Sequence, residues 1–125
     1  MLGAQAVIGF IPTTDFTRAK EFFRDKVRLR FTGQEDQFAL VFESAGVMIR
    51  VVKVGDFTPA GFTILGWRVK DIDETVAAMT KRGVTFERFP GMQQDTHGIW
   101  TAPSGARVAW FKDPDGNVLS VSQPL

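Results

Sequence analysis

The sequence predicts an α+β fold made of two tandem βαβββ modules, each a curved mixed sheet with one helix on its outer face. Three observations carry this. Asp15 and Asp71 lie 56 positions apart, and each follows a short apolar stretch and opens a helical one. Segment 55–61 (Gly-Asp-Phe-Thr-Pro-Ala-Gly) is dense in turn formers and separates the two halves. The chain closes on Phe111-Lys112-Asp113-Pro114-Asp115-Gly116-Asn117, a tight turn feeding an alternating strand.

Taken in order, 7–11 reads as a short apolar strand. Thr13-Thr14-Asp15 offers N-cap side chains, and Phe16, Ala19, Phe22 and Phe23 recur at helical spacing, which predicts a helix over 15–25. Strands are predicted at 28–33, 38–43 and 47–52. The second half repeats the order, with a strand at 63–69. Asp71-Ile72-Asp73-Glu74 has capping-box spacing, and Ile72, Val76 and Met79 form the helix stripe that Gly83 ends. Strands at 84–88, 99–102, 108–112 and 118–122 follow, and 89–98 is expected to be a mobile loop. The whole is one domain, with module one at 5–55 and module two at 62–124.

Strand alternation assigns the faces. Val7, Gly9 and Ile11 belong to the helix side of the first strand, leaving Ile8, Phe10 and Pro12 on the other. Leu65, Trp67 and Val69 go with the second helix, and Ile64, Gly66 and Arg68 face away from it. One helix covers only one sheet face, so the two uncovered faces are expected to curl into a ligand cup. Ser120 and Ser122 face that cup. Paired residue for residue with the last strand, Ile49-Arg50-Val51 points Arg50 inward. Trp67 and Trp110 are assigned to packing.

Composition narrows the function. The chain has 125 residues, 44% hydrophobic and 23% charged, with 12 Phe and 3 Trp. A net charge of +1 makes no electrostatic case for nucleic acid or an anionic membrane. No basic segment precedes a long apolar run at the N-terminus, and no apolar stretch is long enough to span a bilayer. With zero Cys there is no disulfide, thiolate nucleophile or Cys-ligated metal, which fits a reducing cytoplasm. A single His excludes a multi-His metal site within one chain.

The segment Asp-Phe-Thr-Arg-Ala-Lys-Glu-Phe-Phe (15–23) resembles the first-module signature of the vicinal oxygen chelate superfamily. That superfamily includes glyoxalase I, extradiol dioxygenases, fosfomycin-resistance proteins and bleomycin-resistance proteins. Trp67-Arg68-Val69-Lys70-Asp71-Ile72-Asp73 resembles its second-module signature, and 111–117 its closing motif. The resemblance spans nearly the whole chain and implies a homodimer. Metal-dependent members would carry ligands at the positions occupied here by Ile8, Arg50, Ile64 and Ser120. Two Ile, a Ser and a fixed cation do not hold a divalent ion, so no metal and no cofactor is expected.

Five residues are candidates for ligand binding. Arg50 and Arg68 present guanidinium forks suited to an anion. Phe10 and Trp100 offer flat surfaces for a planar molecule. His97, in Asp95-Thr96-His97-Gly98, could carry a proton if its loop folds over the cup. No catalytic residue is assigned. The leading expectation is metal-independent binding of a small planar or anionic molecule. The alternatives are a glyoxalase- or lyase-like enzyme and a non-catalytic module whose cup is filled by its own side chains.

Overall fold

The computed structural model describes residues 1–125. The chain forms two compact units, Met1–Thr58 and Pro59–Leu125, which divide within the predicted linker. Each is an α+β unit built on a four-stranded mixed sheet.

The first unit opens with a 3₁₀ turn, Leu2–Ala4, and contains β1 (Ile8–Thr13), α1 (Phe16–Glu21), β2 (Arg30–Glu35), β3 (Ala39–Ser44) and β4 (Val47–Lys53). A π-helical turn over Phe22–Lys26 extends α1 to the predicted length. Asp15 caps the helix, its Oδ1 accepting from the Arg18 N–H at 3.1 Å, because the first turn of a helix has N–H groups with no partner of their own. The sheet order is β1-β4-β3-β2, with β1 and β4 parallel and the other pairs antiparallel. Ile11, Leu40, Phe42, Ile49 and Val51 are buried on one side of the sheet, and Ala19, Phe22 and Phe23 of the helical segment are buried too. The Phe23 ring centroid lies 5.2 Å from that of Phe22 and 5.9 Å from that of Phe42. The opposite face has no helix over it. There Ile8 and Phe10 stay 45% and 57% exposed. Val7 lies before the strand and is exposed, so it joins no helix-side row.

The second unit contains β5 (Thr63–Arg68), α2 (Ile72–Lys81), β6 (Trp100–Thr101), β7 (Arg107–Lys112) and β8 (Val118–Gln123), in sheet order β5-β8-β7-β6. The pair β5–β8 is parallel, as β1–β4 is in the first unit. Asp71 caps α2 by accepting from the Glu74 N–H at 3.1 Å. Asp71→Ala is expected to destabilise the protein by about 1 kcal/mol, read as a lower chemical-denaturation midpoint at unchanged slope. Ile72, Val76 and Met79 bury as the stripe predicts. Trp67 stacks on buried Phe111 at 6.3 Å and 23°.

Three expectations need correction. The strand expected at 84–88 is only a bridge, Phe86 to Phe111, plus one bond from the Glu87 N–H to the Trp110 carbonyl. The loop expected to be mobile is stitched to its surroundings by side chains. Gln94 accepts from the Phe89 N–H and donates to the Glu87 and Gly98 carbonyls, while Asp95 accepts from the His97 and Ile99 N–H groups. Finally, β4 and β8 lie in different sheets and are not hydrogen-bonded partners. They hold equivalent places instead, since Arg50 pairs with Phe10 of β1, and Ser120 with Gly66 of β5, 56 positions on.

Candidate functional site

Strand register arranges each uncovered face in rows, because directly opposite residues project to the same side. In the first unit one row reads Phe10–Arg50–Val41–Gly33 across β1, β4, β3 and β2. The neighbouring row reads Pro12–Val52–Ala39–Glu35, and on the other side lies Ile8–Met48–Glu43–Arg30. Arg50 therefore sits in the middle of the face, as expected. Its guanidinium carbon lies 5.6 Å from the centroid of the Phe10 ring, a cation–π contact. Its Nε is 2.8 Å from Glu35 Oε1. That approach is close but misaligned: the same Nε is buried and makes no hydrogen bond. The contact is thus a Coulombic pair without the linear N–H···O geometry of a strong one.

At the margin of this face Arg30 Nη2 donates to Glu43 Oε1 at 2.8 Å. That bond holds the Glu43 carboxyl below its ordinary range.

In the second unit the rows are Arg68–Ser122–Val108–Trp100 and Gly66–Ser120–Trp110. Arg68 and Trp100 are thus ends of one row, separated by two strands. Trp110 is a correction. It was expected to pack in the core, but its neighbours Ala109 and Phe111 take the buried side of β7 and leave Trp110 on the uncovered one. There its ring centroid lies 6.0 Å from that of Trp100 and 5.5 Å from that of Phe89. The three half-exposed rings make an aromatic floor. Beside them the row is tight: a Cβ placed on Gly66 would come within 2.8 Å of the Oγ of buried Ser120, so only glycine fits there. Sequence reasoning missed Trp110 and Phe89, although the pairing of Trp110 with Ser120 follows from antiparallel alternation in the β7–β8 hairpin.

His97 lies away from the aromatic rings of its own unit. It is exposed and lines a hollow of about 250 Å³ with Thr80 of α2, Val84, Thr85 and Arg88. Arg107, on the helix side of β7, donates to both Asp73 carboxylate oxygens at 2.7 and 2.9 Å, and this bond holds the Asp73 carboxyl below its ordinary range. Arg68 also borders a hollow of about 360 Å³ with Val69, Lys70, Gln123 and Pro124.

A divalent metal does not fit the positions equivalent to the ligand positions of metal-dependent vicinal oxygen chelate proteins. Ile8 presents alkyl carbon, Arg50 a fixed cation already paired with Glu35, and Ser120 a lone hydroxyl. Ile64 is the extra residue where the β5–β8 register slips between Thr63 and Leu65. No cluster of three His, Cys, Asp or Glu side chains suited to a metal ion occurs in the chain.

Comparison with known proteins agrees with this architecture. The family model described as "Glyoxalase/Bleomycin resistance protein/Dioxygenase superfamily" matches residues 5–121. An uncharacterised Bacillus subtilis (strain 168) protein, YraH, is 25% identical, with 89% of this chain and 91% of that one aligned. The crystal structure of a lactoylglutathione lyase from Agrobacterium tumefaciens superposes with a TM-score of 0.75 at 15% identity, over 96% of this chain and 93% of that one. TnmS3, an antibiotic-binding protein from Streptomyces sp. CB03234, superposes with a TM-score of 0.71 at 23% identity, over 100% and 99%. At these identities the two structural likenesses establish the fold alone.

Proposed function

Because the chain belongs to the glyoxalase/bleomycin resistance protein/dioxygenase superfamily, we propose that it is a metal-independent binding protein for a small planar or anionic molecule, held on the uncovered faces of its sheets. The observation that carries this reading is the aromatic floor of Trp100, Trp110 and Phe89, half-exposed on a face that has no helix over it. A partly buried aromatic group of this kind offers stacking area at little loss of side-chain freedom, and Arg68 ends the row that Trp100 begins with a guanidinium. TnmS3, described as an antibiotic-binding protein, shares the fold, which supports reading this one as a binder of small molecules.

Metal independence rests on the side chains that replace a ligand set. Stripped protein given Ni²⁺, Zn²⁺, Mn²⁺ or Fe²⁺ is expected to keep its melting temperature. A rise with any of them would overturn this part of the reading. A panel of planar antibiotics and aromatic anions should contain compounds that raise it, since a ligand at 100 times its Kd stabilises by about 2.7 kcal/mol. Trp110→Ala is expected to weaken such a compound about tenfold, the equivalent of one stacking contact. An unchanged Kd would remove the aromatic floor from the site, and no shift across the panel would remove the function. The same reading takes the protein as a cytoplasmic homodimer, and light scattering on the purified protein tests the oligomeric state.

A further inference from the structure

We propose that Phe10, Arg50 and Glu35 form a latch for an aromatic carboxylate, in which Glu35 is an internal stand-in that the ligand's carboxylate displaces. This rests on the reading of the uncovered faces as binding surfaces, and it assigns the first unit's face a ligand class and a competitor.

The guanidinium of Arg50 is set for a better partner than the one it has. Glu35 reaches it from one row away and approaches Nε at 2.8 Å without forming a hydrogen bond. Glu35 itself remains 53% exposed, as the last residue of β2 at the sheet edge. A misaligned pair with a half-solvated partner is easily exchanged. A planar carboxylate meeting the guanidinium edge-on makes two parallel N–H···O bonds, so geometry favours the incoming group. The 30% of the Arg50 side chain that stays exposed is where it would arrive.

The ligand should also carry a ring. Phe10 is 57% exposed and lies beside Arg50 in the same row, and Ile8 and Met48 in the adjoining row are 45% and 41% exposed. Rows on one face of a sheet lie about 7 Å apart and strands about 4.8 Å apart. A fused aromatic ring laid over Ile8, Met48 and Phe10 therefore brings a carboxylate attached to it up to Arg50. An aliphatic acid would reach the cation and leave the apolar platform wet.

The test uses 2-naphthoate and its neutral counterpart 2-naphthamide, titrated into the full-length protein and followed by ¹⁵N NMR, with the Arg50 Nε–H signal identified by its loss in Arg50→Lys. Naphthoate is expected to move that signal and naphthamide to leave it in place. Glu35→Gln is expected to bind naphthoate about fivefold more tightly, the most an exposed ion pair commonly contributes, with naphthamide binding unchanged. Arg50→Met should abolish the preference for naphthoate. If Glu35→Gln leaves the naphthoate Kd unchanged or weakens it, Glu35 is no competitor and the latch is wrong. If naphthoate moves only signals of Trp100 and Trp110, the latch is wrong while the binding function stands. If neither compound binds either protein, the latch again falls, and the function is then decided by the wider panel.

Discussion

Phe111→Ala is expected to lower the stability of the protein by about 3–5 kcal/mol, the range for emptying a fully buried aromatic site. Phe111 is wholly shielded from solvent. Its ring meets Trp67 from β5 at 6.3 Å and Phe86 at 5.7 Å, so it ties the segment after α2 to the sheet. Its backbone also forms the Phe86 bridge that stands where a further strand was expected. Truncation leaves a cavity between rings that cannot collapse without moving two strands. Most domains are stable by only 5–15 kcal/mol, so the variant should unfold at markedly lower denaturant. The adjacent Trp110→Ala is the internal control. Its ring is half-exposed on the other face, so its removal should cost clearly less. A Phe111 loss no larger than the Trp110 loss would mean that the two faces of β7 have been assigned the wrong way round.

That contrast marks what the sequence could and could not reveal. The modular architecture was legible because its signals are local. Asp15 and Asp71 cap helices within three residues of themselves, and the chain repeats at their spacing. The turn at 113–117 follows from residue types alone, with Gly116 at a φ of 86° that other residues resist. Arg50 lies on the uncovered face of its own sheet through its register with Phe10 and Val41, not through the pairing with the last strand from which its inward direction was expected.

What stayed hidden depends on partners far away in sequence. Nothing near Arg50 announces Glu35, because their meeting depends on the β2–β3 and β3–β4 registers and on a slip between Phe31 and Gly33. Residues 84–88 have strand-like composition, yet no neighbouring strand continues the pairing beyond one bridge. The 89–98 loop looked mobile from its Pro and Gly, whereas a single glutamine, Gln94, supplies three bonds that composition cannot foresee. His97 was a candidate on the condition that its loop folds over the cup. The turn before Ile99 instead leaves it in a hollow shared with a residue of α2.

Asp113→Ala is expected to destabilise the protein by about 3 kcal/mol, and by more at pH 4 than at pH 7. Asp113 is buried and anchors the closing turn as an acceptor. Its Oδ1 takes the Asp115 and Asn117 N–H groups at 3.0 and 2.9 Å, and its Oδ2 takes the Asn117 amide at 2.8 Å. Alanine strands these donors, at a site where Asn117 is itself buried, and each unmet buried donor costs about 1–3 kcal/mol. The pH dependence follows from the direction of its shift. Burial raises the Asp113 pKa, and the three hydrogen bonds offset only part of that. Between the unfolded and folded values the native state therefore holds a proton that the unfolded chain has lost, so the contribution of Asp113 to stability falls as pH rises through that window and recovers on acidification. The exposed carboxylates run the other way. Asp15, Asp25, Glu43 and Asp73 are lowered by backbone or arginine hydrogen bonds, so their contribution is present above the ordinary carboxylate range and is lost below it. Wild type and Asp113→Ala share those losses, which cancel in the difference between their unfolding free energies. What remains is the Asp113 term alone, growing toward acid pH. A difference that shrinks between pH 7 and pH 4 would mean that the hydrogen bonds outweigh burial and that the turn is held by a carboxylate of lowered, not raised, pKa.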